Sequence, residues 1–276
     1  MEASFWDGKR APGIKDTIDL SKYDSVVEVI ENSFKRYADR PAFTSIGYTL
    51  TYRQIDEYSA AFANYLQNHT TLKPGDSIAI QMPNILQYPI AMYGALRAGL
   101  RVVNTNPLYT EREMLHQFND SGAKALLCMD VFAKSVENVK DQTGIKHIIV
   151  TSLADMLPGL KRVLINAAAK HIKKMVPAYS LPEAVRFREC LKLGNLVANM
   201  LPAASALGQT TADGQPMKGD KQAIIVAPLP LYHIYSFTVH LMALFELGDH
   251  SILIANPRDT ETFIRFMKPW KLTGVV

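Results

Sequence analysis

Ser77-Ile78-Ala79-Ile80-Gln81-Met82 opens the passage that decides the fold. Three more short apolar runs follow: Arg101-Val102-Val103-Asn104, Ala125-Leu126-Leu127-Cys128-Met129 and His147-Ile148-Ile149-Val150. Segments of helical pattern lie between them, and Gly99, Gly122 and Gly144 stand where those segments should stop. Glycine suits a helix end because it adopts a left-handed backbone without a Cβ clash. Alternation of this kind implies consecutive βαβ units on a parallel sheet. The expected fold class is α/β, with mainly parallel sheets flanked by helices.

Working outward, Ser25 with Glu28, Thr51 with Gln54 and Thr110 with Glu113 fit the capping-box pattern of helix starts. After Thr51, the residues Ile55, Tyr58, Phe62, Tyr65 and Leu66 share one helix face, a core-facing stripe. The second half is less regular. Lys161 to Val176 reads as a basic helix, and Asn195 to Leu207 as a helix that Pro202 kinks or ends. Gln209 to Asp220 reads as a polar loop. Strands are expected at Ala223–Ala227 and Ser251–Ala255, helices near Phe237–Leu247 and Thr260–Met267, and a last strand from Gly274. Ala223 to Phe245 lacks Asp, Glu, Lys and Arg and has the length of a membrane span. Pro228, Pro230, His233 and His240 instead favour a buried strand, a turn and a buried helix.

The 276 residues are 48% hydrophobic and 20% charged, enough for a sizeable core. A net charge of +4 is too weak to imply nucleic acid, so no nucleic-acid partner is expected. Cys128 and Cys190 have no CxxC spacing and no clustered histidines, so no metal site is expected and a reduced, cytoplasmic setting follows. Cys128, inside an apolar run, reads as a core residue. The N-terminus has no basic region followed by an apolar one, so no secretion signal is read there. The strands are not followed by GxGxxG, which disfavours a dinucleotide-binding oxidoreductase.

Several short elements recur in a fixed order. They are Leu50-Thr51-Tyr52-Arg53-Gln54, Leu72-Lys73-Pro74-Gly75-Asp76, Met82-Pro83-Asn84 and Gly94-Ala95-Leu96-Arg97-Ala98-Gly99. Asn104-Thr105-Asn106-Pro107-Leu108-Tyr109-Thr110, Asp120-Ser121-Gly122-Ala123, Leu229-Pro230-Leu231-Tyr232-His233-Ile234 and Asn256-Pro257-Arg258-Asp259 continue the series. Together they resemble the adenylate-forming superfamily, and within it the bacterial long-chain fatty acid–CoA ligases. The resemblance implies an adenylate-forming N-terminal domain, its first part at residues 1–194 and a truncated second part at 195–276, with the mobile C-terminal domain absent. It implies a two-step reaction. A fatty acid carboxylate attacks the α-phosphate of ATP, and the thiol of coenzyme A then displaces AMP. ATP, Mg2+ and coenzyme A are thus implied for the intact enzyme, with a long-chain fatty acid as substrate and a homodimer as its assembly.

In the family, a strand and a Gly/Ser/Thr-rich phosphate loop precede the segment matched by Asn195-Leu196-Val197-Ala198-Asn199-Met200. Here Leu191-Lys192-Leu193-Gly194 joins Asn195 directly, which implies an internal deletion. Gly208-Gln209-Thr210-Thr211 is no substitute, because it lacks the glycine density and following lysine that bring backbone N–H groups to a phosphate. No catalytic residue is therefore assigned, none of the cofactors is expected to bind this chain tightly, and loss of a core strand is expected to leave unpaired edges and poor solubility. By resemblance His233 lines the carboxylate end of the acyl pocket, with Tyr232 and Tyr235 as pocket-wall residues. The alternative for His233 is a histidine packed in a sheet-to-helix turn. Lys170, Lys173 and Lys174 belong to the basic stretch and suit an anionic membrane surface, peripheral on the inner membrane, or else a solvated helix packed by its apolar face. A rival reading of the whole chain is a non-catalytic lipid-surface or partner-binding remnant.

Overall fold

The structure is a computed structural model and describes residues 21, 23–198, 222–233 and 236–275. In chain order, α1 (Val26–Arg36) leads into the hairpin of β1 (Pro41–Ser45) and β2 (Tyr48–Thr51), then α2 (Tyr52–Asn68). The alternating passage follows as β3 (Ser77–Gln81), α3 (Gln87–Arg97), β4 (Arg101–Asn104), α4 (Glu111–Asp120), β5 (Ala123–Met129), α5 (Ala133–Val139) and β6 (His147–Thr151). Next come α6 (Gly159–Ala167), continued by a π-turn at Ala168–Ile172, β7 (Val185–Arg186) and α7 (Phe187–Ala198). The second half supplies β8 (Ile224–Ala227), a π-helical stretch (Phe237–Ala243) running into α8 (Leu244–Glu246), β9 (His250–Leu253), α9 (Thr260–Met267) and β10 (Gly274–Val275).

The four runs of the opening passage pair in parallel, and with β7 they make a sheet of order β4-β3-β5-β6-β7. Their alternate side chains serve two cores. Ile78, Ile80, Leu127 and Ile149 face the core that also holds side chains of α2, α3 and α7. Ala79, Leu126, Cys128, Ile148 and Val150 face a second core with Met114 and Phe118 of α4 and Val136 of α5. A strand covered on both faces can be continuously apolar, which is how these runs read. The second sheet, of order β10-β8-β9-β1-β2, joins the antiparallel hairpin to three parallel strands from the far end of the chain. Phe34, Phe43, Tyr52 and Tyr93 from the first hundred residues pack around Phe245, with ring centroids 4.2–5.7 Å from it. The Tyr93 hydroxyl donates to Leu241 O and that of Tyr52 to Phe245 O, at 2.8 and 3.0 Å.

Local signals hold with small differences. Thr51/Gln54 and Thr110/Glu113 form complete capping boxes. At Ser25 only half forms, because the Glu28 carboxylate accepts the Asp24 N–H (2.7 Å) instead. Gly99 and Gly122 take left-handed φ of 76° and 60°; Gly144 does not, following a 3-10 turn instead of an α-helix. Cys128 and Cys190 are buried free thiols, each pushed up to about 12 chiefly by burial, as inert core cysteines should be. Among the described residues no helix is long and apolar enough to cross a membrane, and the uncharged stretch is a strand, a turn and a helical segment. Most of the helix expected at 195–207, and the polar loop after it, lie outside the described residues.

Candidate functional site

Four of the resemblance-bearing segments, those with Asn84, Asn106, Tyr232 and Arg258, meet at the end of β8, where the chain leaves the sheet through Pro228–His233. Asn84, just beyond β3 in the other sheet, is buried and ties this turn down. Its Nδ2 donates to Leu229 O (2.7 Å) and Ala227 O (3.4 Å), and its Oδ1 accepts the Leu231 N–H (2.7 Å). A side-chain amide can donate two hydrogen bonds and accept at the same time, so Met82-Pro83-Asn84 acts as a clasp between the two sheets. Ser236 Oγ donates to the same Leu229 O at 3.1 Å.

Half-buried Tyr232 leans from the turn across to the end of β4, where its hydroxyl donates to Asn106 Oδ1 (3.2 Å). Beside it the Tyr88 hydroxyl donates to Asn104 Oδ1 (2.7 Å), and Gln117 Nε2 donates to Asn104 O (3.1 Å). Burial raises the Tyr232 phenol above its ordinary range; nearby Tyr109 adds to this and Arg258 opposes it. Burial likewise raises Tyr88, with Tyr232 as its neighbour. These phenols stay protonated at neutral pH and act as hydrogen-bond donors. Arg258 precedes the Asp259 N-cap of α9, whose carboxylate accepts the Thr262 N–H at 3.1 Å.

His233 ends the turn with its side chain exposed. Its N–H donates to Pro230 O (3.0 Å) and its carbonyl accepts from Phe237 N (2.9 Å). The residue is exposed at the end of the turn, next to Tyr232. Tyr235 lies outside the described residues. The structure therefore brings His233 and Tyr232 together and adds Asn84, Tyr88, Asn104, Asn106 and Arg258, which sequence reasoning had read as turn formers or left without a role. Apart from Tyr88, which no motif marks, their presence in the recurring elements was the available signal. His240 is buried and bonded to Ser251 Oγ (3.1 Å), a core histidine.

α7 follows β7 without a break and runs through the junction between Gly194 and Asn195. Past the first turn, its backbone N–H groups are committed to i−4 carbonyls and cannot converge on a phosphate. Residues 191–198, across the junction, therefore do not form a phosphate loop. Among the described residues no group of three or more His, Cys, Asp or Glu could hold a metal ion. Lys170, Lys173 and Lys174 are exposed and lie in a different region. Lys170 borders a cleft of about 750 Å³ with Asp130, Ser152, Tyr179 and Arg186, at the carboxyl ends of β5 to β7. Burial raises the Asp130 carboxyl there, opposed by the hydrogen bond from Ser152 Oγ (2.6 Å) and by Arg186.

Residues 30–186 match the family of AMP-binding enzymes. A long-chain-fatty-acid–CoA ligase of Haemophilus influenzae is 39% identical over 304 positions, and that of Yersinia pestis 39% over 297. These alignments take in 98% and 97% of the chain, and 54% and 53% of the relatives. The chain thus spans about half the length of the curated relatives it matches. Both alignments exceed the chain's own 276 residues, so the relatives carry residues inside the aligned span that have no counterpart here. Among solved structures, an anthranilate CoA ligase in complex with anthranoyl-AMP superimposes with a TM-score of 0.67 at 13% identity, covering 92% of this chain and 49% of that one. A benzoate CoA ligase from Burkholderia xenovorans gives 0.63 at 18%, covering 88% and 48%. These two share the fold. From the family match, the ordered elements and the parallel sheets they build, the chain belongs to the AMP-binding enzymes.

Proposed function

We propose that this chain is an incomplete adenylation domain of a long-chain fatty acid–CoA ligase, and that it does not itself form acyl-AMP. The intact enzyme would activate a fatty acid with ATP and Mg2+ and pass the acyl group to coenzyme A, acting in the cytoplasm at the inner face of a membrane. The observation that carries the inactivity is α7, a continuous helix where the phosphate loop belongs. Each lost phosphate donor removes about 3 kcal/mol of transition-state stabilisation. His233, Tyr232 and Tyr235 are the residues assigned to the carboxylate end of the acyl pocket. Their support is the exposed histidine at the sheet junction and the phenol held by Asn106.

The test is fatty-acid-dependent ATP–pyrophosphate exchange on the purified chain, with circular dichroism in the same buffer. A folded chain giving no exchange above a blank without oleate is the expected result. Exchange above the blank would mean that other residues hold the phosphates, and the reading of α7 would fall. The rival, a non-catalytic remnant that binds lipid or a partner, is favoured by the same helix. Oleate binding without nucleotide binding would support it.

A further inference from the structure

The segment between Asp155 and Glu183 contains Lys161, Arg162, Lys170, Lys173 and Lys174 and no acidic residue, so it holds +5 while the whole chain sums to +4. The positive charge of the protein is therefore concentrated here. If α6 were an ordinary surface helix, its apolar side chains would pack on the domain. They do not: no residue of α6 is buried. Leu160, Val163, Leu164 and Ala167 recur at helical spacing and all are exposed, Leu160 to 71%. The π-turn carries Ile172, which is 77% exposed. Met175 extends the patch.

What holds the helix on the domain is polar. Asn166 Oδ1 accepts the Ala154 N–H (2.8 Å) and its Nδ2 donates to Asp155 Oδ1 (3.1 Å), with Ala169 as the one buried side chain of the π-turn. The apolar side thus faces outward, with exposed Lys161, Lys170, Lys173 and Lys174 in the same segment. Contiguous exposed apolar surface with a polar rim marks an interaction site. A stripe of Leu, Val and Ile flanked by lysines, with no acid among them, complements an anionic bilayer: the apolar chains enter the acyl boundary and the ammonium groups meet the headgroup phosphates.

We propose that α6 and its π-turn form a membrane-docking surface that seats this chain on anionic lipid, with Leu160, Val163, Leu164 and Ile172 inserted and Lys170, Lys173 and Lys174 at the headgroups. This assignment does not rest on the ligase reading.

The test is flotation of the purified 276-residue chain with phosphatidylcholine vesicles, with and without phosphatidylglycerol. Two variants accompany it, Lys170→Glu with Lys173→Glu and Lys174→Glu, and Leu160→Ser with Leu164→Ser. All of these side chains are exposed, so circular dichroism should be unchanged. The expected result is flotation that requires phosphatidylglycerol and weakens at least about tenfold in each variant, the first through lost headgroup attraction and the second through lost apolar insertion. Quenching of a Leu160→Trp chain by brominated lipid would support insertion. Equal flotation with phosphatidylcholine alone, or variants that float like the parent, would overturn the proposal. So would a parent chain that fails to float but sediments as a dimer dissociated by the serine pair, which would give the face to a second copy.

Discussion

Replacing Asn84 by alanine should unclasp the two sheets, and the structure sets the size of the effect. Two short hydrogen bonds vanish, to Leu229 O and from Leu231 N, both 2.7 Å. Leu229 O keeps the Ser236 hydroxyl as a donor, so its loss is an ordinary one of about 1 kcal/mol. Leu231 is fully buried, and its N–H loses its side-chain acceptor; an unsatisfied buried donor costs about 1–3 kcal/mol. The sum is roughly 2–4 kcal/mol. Asn84→Asp separates the two bonds, because it retains an acceptor for Leu231 and gives up the donor. Urea unfolding followed by far-ultraviolet circular dichroism gives the global figure, and hydrogen exchange at the Leu231 amide gives the local one. Protection at Leu231 should fall in the alanine variant and persist in the aspartate variant. An alanine variant within about 0.5 kcal/mol of the parent, with Leu231 still protected, would refute the clasp.

Three further outcomes are expected. Both amide atoms of Gln81 are buried without a hydrogen-bond partner, so Gln81→Met, of similar volume, should stabilise by about 1–3 kcal/mol in urea; a loss of stability would mean the amide is satisfied in solution. Ile46 and Gly47 form the hairpin turn between β1 and β2 with φ of 50° and 66°, a left-handed pair in which a β-branched residue is strained. Ile46→Asn should therefore stabilise the fold by about 1 kcal/mol, read as a higher urea midpoint; an unchanged midpoint would mean the turn is unstrained. Burial lowers His250 from 6.5 to about 4, so between those values the unfolded chain binds the proton and the folded chain does not. Stability should be full above pH 6.5 and fall toward pH 4, by up to about 3 kcal/mol. A His250→Gln chain should show a flatter pH dependence across that window in the same denaturation series, and an unchanged slope would rule His250 out as the source.

Much of the fold was legible because its signals are local. A βαβ passage is written in residues a few positions apart: apolar runs, helix caps at Thr51 and Thr110, glycines at Gly99 and Gly122. Backbone sterics and burial period act within a turn or a strand, so the sequence carries them directly. The recurring elements pointed to the same family that the comparisons support. The site was legible only in part. His233 and Tyr232 were marked by resemblance, but nothing near them announces that Asn84, some 145 residues earlier, holds their turn. Which side chains meet across such a separation depends on how two sheets pack, and hydrogen-bond partners chosen that way leave no periodic trace.

The basic helix makes the same division clear. Its composition alone established a cationic amphipathic segment between residues 155 and 183. Whether its apolar stripe turned inward or outward was undetermined, because an amphipathic pattern fixes the relation of two faces and not their direction. The tertiary structure decided it: Asn166 binds the loop at Ala154–Asp155 by its amide, and that polar attachment turns Leu160, Val163 and Leu164 away from the core. Likewise the sequence determined that no Gly-rich loop stands between Leu191 and Asn195, while only the fold showed that helix α7 runs unbroken across that junction, since helix continuity depends on what both sides pack against.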